Sequence, residues 1–257
     1  RAGRMAQLMM KADDEEDGGM RAKLKAAATV GVALVFVGGS ILPFLQFGDS
    51  GLSEQQLSTR LSSVPVFSVT DLDGRPYVAE KDDGSRVGYF FLNPKDAEAY
   101  ELQARDNSTD QADNTRIMPV GLDEALKFLE RKDNRAGSDR YVLIGNQHEQ
   151  DEAERIAPDR ARTNVPLFYS EGLGISMKSK NGQESQAIPL YFNREDLDAA
   201  INSLSTRDPS FKPGPAEVVE FGDALAEIRS GKNGRLQSVY FFPPSDGKEY
   251  MQRLGQR

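Results

Sequence analysis

Apolar residues recur along this chain in two rhythms. One is helical. Leu122, Ala125, Leu126 and Leu129 fall at i, i+3, i+4 and i+7, one face of a helix in LDEALKFLE. Phe221, Ala224, Leu225 and Ile228 repeat that spacing in FGDALAEI, and Leu197, Ala200, Ile201 and Leu204 in REDLDAAINSL. The other rhythm is the short apolar run between turn signals. RIMPV, YVLIG, EVVEF and SVYFF read as strands, too short for helices. Gly74 and Gly84 mark turns inside DLDGRPYVAEKDDGSRVGYFFL. Asn93-Pro94 predicts a helix start, with an N-cap side chain and a proline where no amide donor is needed. SEQQLSTRL at 53–61 predicts a short amphipathic helix. Ser53 and Gln56 have capping-box spacing, and Leu57 and Leu61 share its apolar face.

These elements come twice in one order. Val64-Pro65-Val66-Phe67 returns as Val165-Pro166-Leu167-Phe168, Asn93 as Asn193, LDEALKFL as FGDALAEI, and Arg155-Ile156 as Arg253-Leu254. One matching tetrapeptide is coincidence; several elements in register predict an internal duplication. The halves run over about 64–163 and 164–257. Two copies are too few for a solenoid, so they share one core. The expected fold is α+β: two pseudo-symmetric βαβα-type halves in one soluble domain. Pro65 and Pro166 predict strand starts at equivalent sheet edges.

Upstream lies an uncharged run, AAATVGVALVFVGGSILPFLQF at 26–47. At ~1.5 Å per residue it reaches roughly 30 Å, the depth of a bilayer core, and predicts a single transmembrane helix. Residues 1–25 then form a tail and 48–63 a linker with the short helix. Lys and Arg cluster before the span, which keeps the N-terminus untranslocated and sends everything after it across the membrane. Ala27 and Gly31 have small-xxx-small spacing; with Gly38 and Gly39 they are candidate helix-packing positions. The run holds no side chain suited to chlorophyll magnesium except Gln46 near one end. It offers lipid and peripheral pigment contacts only.

Composition narrows the chemistry. The net charge of −8 argues against nucleic acid, whose phosphates demand basic surfaces. There is no cysteine, hence no disulfide, thiolate metal site or cysteine nucleophile. His148, in GNQHEQDE, is the one histidine, with nothing to complete a triad or metal site. The acidic pairs Asp71/Asp73, Asp82/Asp83 and Glu149/Asp151 read as solvated turn and loop residues. GKNG at 231–234 follows a helix and reads as its stop, not a phosphate loop. The sequence therefore predicts no catalytic residue, no metal site and no cofactor.

LSTRLSSVPVFSVTDLDGRP, VPLFYSEG and IPLYFNREDLDAAI together resemble the Tic twenty-two-kilodalton family, a plastid protein-import component with cyanobacterial relatives. The resemblance spans roughly 53–254. It implies a non-catalytic, chaperone-like protein that binds polypeptides crossing between membranes, through apolar grooves beside the two halves. The candidate apolar binding faces are Leu122, Leu126, Leu129, Phe221, Leu225 and Ile228. The expected partners are translocating polypeptides or other proteins of a membrane complex, and the bilayer through 26–47. The expected location is a plastid membrane, with a stromal N-terminus and the domain in the intermembrane space or thylakoid lumen. The predicted span also suggests a second reading, a structural accessory subunit of a thylakoid photosystem–antenna complex.

Overall fold

Local capping chemistry sets the elements of the first half. The computed structural model describes residues 32–36, 52–81, 83–107, 115–131, 139–159, 163–178, 184–231 and 238–255. Helix α1, Glu54–Leu61, opens on the Ser53–Gln56 capping box, and Leu57 and Leu61 are buried. Strand β2, Pro65–Thr70, follows. Asp71 accepts the amides of Asp73 and Arg75, turning the chain at Gly74, where φ is +83°. Strands β3, Val78–Glu80, and β4, Arg86–Phe91, come next. The Asn93 side chain then accepts the Lys95 amide at 2.9 Å, starting α2, Pro94–Asn107. Strand β5, Arg116–Gly121, runs directly into α3, Leu122–Leu129. Strand β6, Asp139–Ile144, and helix α4, Gln147–Ile156, complete the half.

The second half contains β7, Pro166–Ser170; β8, Leu173–Lys178; β9, Glu184–Tyr191; α5, Arg194–Arg207; β10, Ala216–Glu220; α6, Phe221–Ser230; β11, Val239–Phe242; and α7, Ser245–Gly255. Gly231 ends α6 in the left-handed region, φ 62°, the helix stop expected from GKNG. Each half forms its own sheet, mostly antiparallel. The orders are β3-β4-β2-β5 and β8-β9-β7-β10, with β6 added parallel to β4 and β11 parallel to β9. Matching registers recur: Phe67 opposes Phe91, and Phe168 opposes Tyr191. Each half thus adds a β-hairpin ahead of the expected βαβα order. Pro65 and Pro166 do start their strands, but β2 and β7 are interior, not edges. A proline is tolerated there because the second neighbour of each strand joins it only at Phe67 or Phe168, past the proline.

One core joins the halves. Val66, Phe90, Leu122 and Leu126 pack with Leu167, Leu190, Phe221, Leu225 and Ile228, under α1. Fully burying each such side chain contributes roughly 1.5–3 kcal/mol. The outer faces are covered reciprocally. Ala153 and Ile156 of α4 join the second sheet's outer cluster, around Phe168, Tyr191 and Leu197. Tyr250 and Met251 of α7 join the first sheet's, around Phe67 and Phe91. The Phe67 and Tyr250 rings meet edge-on at 5.0 Å. Each half therefore lends its last helix to the other.

The apolar run 26–47 departs from expectation. Its described residues form a strand, β1, Val32–Phe36, paired antiparallel to β8. Among the described residues no helix is long and apolar enough to cross a membrane. Length and apolarity fit a span, but they also fit an edge strand. Val32 and Val35 favour extended backbone, and β8 supplies the hydrogen-bonding edge a helix would not need. The tail 1–25, the packing positions Ala27, Gly31, Gly38 and Gly39, and the rest of the run lie outside the described residues.

Candidate functional site

The proposed binding faces on α3 and α6 point inward. Leu122, Leu126, Phe221, Leu225 and Ile228 are buried in the shared core, between 0% and 8% exposed, and Leu129 is half-buried against it. Their helical spacing marks a core face, and these side chains are not available to a bound chain unless the core opens. Residues beside them do reach the surface. Phe128, Leu129, Tyr141 and Leu143 are half-buried at the open side of β6, packed against the shared core. Phe128 lies 5.8 Å from the Phe90 ring and 5.3 Å from Tyr141, with the Arg131 guanidinium 4.4 Å above it. Burial pushes the Tyr141 hydroxyl up from its ordinary pKa, with Asp139 adding to the shift. This apolar rim, part ring and part aliphatic, is the exposed continuation of the core that the periodicity located.

A second feature lies where the halves cross. Leu92, Asn93, Gly145, Asn146, Glu149, Pro166, Phe192, Asn193, Pro244 and Asp246 line a narrow cleft. The N-termini of α2, α4, α5 and α7 meet there, an arrangement that attracts anions. The chain's own oxygens already serve these termini. Asn146 accepts the His148 amide at 2.8 Å. Glu149 of α4 accepts the Arg194 amide of α5 at 2.7 Å, and Asp196 of α5 accepts the Ser245 amide of α7 at 2.9 Å. Glu149 is 4% exposed, not a solvated loop residue, and burial holds its carboxyl above the usual range. Asn193 makes no side-chain cap, because Glu149 has taken that role. The cleft therefore locks helices of opposite halves together. Sequence spacing could not find it, since capping partners so far apart in sequence leave no local pattern.

The remaining polar candidates carry no visible chemistry. His148 is exposed in the first turn of α4. Asp71 caps its turn, and Asp83 is held below its ordinary pKa by hydrogen bonds from Ser85. Among the described residues no group of three or more His, Cys, Asp or Glu side chains is placed to hold a metal ion.

Comparison with known proteins agrees with this architecture. A solved structure of Tic22 from Plasmodium falciparum superimposes with a TM-score of 0.63 at 23% identity, covering 78% of this chain and 98% of the other. Anabaena Tic22, described as a protein-transport protein, gives 0.61 at 18% identity, covering 79% and 97%. Protein TIC 22, chloroplastic, from Arabidopsis thaliana is 24% identical over 217 residues, 79% of this chain and 72% of that protein. The model of the Tic22-like family matches residues 23–255, a range that includes β1 and both sheets, and this chain belongs to the Tic22-like family.

Proposed function

We propose that this chain is a non-catalytic plastid protein that holds polypeptides in transit between membranes, keeping their apolar segments from aggregating. Family membership supports the reading, together with the chloroplast and protein-transport descriptions of its relatives. The observation that carries it is the half-buried apolar rim of Phe128, Leu129, Tyr141 and Leu143, whose Phe128 and Tyr141 rings meet edge-on. Such a surface takes extended apolar segments with little regard to sequence. The proposed compartment is the intermembrane space. The photosystem-subunit alternative drew on a membrane helix, and among the described residues no helix is long and apolar enough to cross a membrane.

The test is suppression of aggregation. The full chain, added in equimolar amount, is expected to lower light scattering from a chemically unfolded client protein. Phe128→Asp should raise the amount needed about tenfold, a loss of about 1.4 kcal/mol in binding, while the melting temperature stays within a few degrees. No suppression at any ratio overturns the reading.

A further inference from the structure

β1 is seated on β8 as an added strand. Val32 stands opposite Met177, Leu34 opposite Ile175 and Phe36 opposite Leu173, in one antiparallel ladder. The segment comes from outside both halves, out of the most apolar run of the sequence. It completes a sheet otherwise built from residues 166–242. The acceptor suits an extended apolar chain. Leu173 and Ile175 are buried, Gly174 and Ser176 alternate with them and are half-buried, and no charge interrupts 173–176. Helix α5 lies against the added strand. The matching edge of the first sheet is unlike it. β3 is only three residues long and ends on the exposed Glu80, two devices that discourage strand addition.

We propose that the β8 edge is a strand-acceptor site for an extended apolar segment of a polypeptide in transit, and that β1 is its resident occupant. The proposal rests on the reading that this chain binds such polypeptides. Backbone hydrogen bonds along β8 give affinity without demanding a sequence, while the buried Leu173 and Ile175 select apolar residues at alternate positions. A tethered occupant acts at a high effective concentration, so it sets a threshold that weakly apolar chains do not pass. Clients exposing long apolar stretches displace it.

The experiment uses the full chain and Leu34→Pro, which removes an amide donor from the middle of β1. The probe is a fluorescein-labelled peptide with the sequence of residues 30–38 and two added lysines for solubility. Leu34→Pro is expected to bind it at least tenfold more tightly than the unaltered chain. The bound peptide should restore hydrogen-exchange protection at 173–178. A second arm needs no variant: excess peptide added to the unaltered chain should strip protection from 32–36. Adding Ser176→Lys to Leu34→Pro should abolish peptide binding. Equal affinity of the two chains, or protection outside 173–178, overturns the site. If aggregation is still suppressed in that case, the broader function stands without it. If neither suppression nor peptide binding is seen, both fall.

Discussion

Glu149 shows how one residue's role depends on a distant one. Its carboxylate accepts the Arg194 amide at 2.7 Å from a buried position. Desolvation raises its pKa above the ordinary value near 4.3. His148 and the Arg194 amide pull the other way, while Glu195 and Glu152 reinforce the rise; Asp246 and Asp196 lie on the helices beside it. The folded state therefore binds this proton more tightly than the unfolded chain. The favourable contribution is complete below the unfolded pKa and is lost as pH rises through the folded one. Glu149→Gln keeps an acceptor for Arg194 and cannot ionise. It should match the natural chain near pH 4 and melt roughly 2 °C higher at pH 7. Thermal unfolding across pH checks this, and a lower melting temperature at pH 7 would refute it.

At the scale of elements, the junction after β6 is the tightest. Gly145 follows that strand and faces the start of the second half. A Cβ there would lie 2.1 Å from the Asn164 carbonyl oxygen, and backbone cannot yield as a side chain does. Gly145→Ala should cost about 3 kcal/mol, read as a lowered denaturation midpoint; an unchanged midpoint refutes the close approach. The sequence showed Gly145 only as the end of YVLIG. Elements themselves were far more legible. The Ser53–Gln56 capping box, the α3 and α6 faces and the Gly231 stop all lie where local spacing put them. Each depends on residues within about two helical turns. What spacing could not tell was whether an apolar face on α3 meets a core or a client.

Across the whole molecule, the halves are interdependent. They share a core, and α4 and α7 each cover the other half's sheet. An ion pair ties corresponding places at the ends of α3 and α6: Arg229 reaches Glu130 at 2.6 Å and also Glu54 at 3.0 Å. Hydrogen bonding to Glu130 raises the Arg229 pKa. That exposed network adds little, typically under about 1 kcal/mol per pair; the shared core and the helix exchange do the joining. Fragments 1–163 and 164–257, made separately, should show no cooperative unfolding, since each exposes its side of the shared core and loses one helix from its outer sheet face. Mixed, they should regain a single transition in circular dichroism. Independent, cooperative melting of either fragment would refute the interdependence of the halves.

The sequence alone located most helices and strands, the Ser53–Gln56 capping box, the turn at Gly74, the helix stop at Gly231 and the family resemblance. All of these follow from periodicity and short-range chemistry, which is written in neighbouring residues. Only the tertiary structure decided that the VPVF and VPLF strands are interior, that α4 and α7 change places, and that Leu122 and Phe221 belong to the core. It also turned residues 32–36 from a supposed span into a strand on β8. An apolar run must bury its side chains and satisfy its backbone, but its sequence does not say against what. The partner that settles the matter lies more than a hundred residues away.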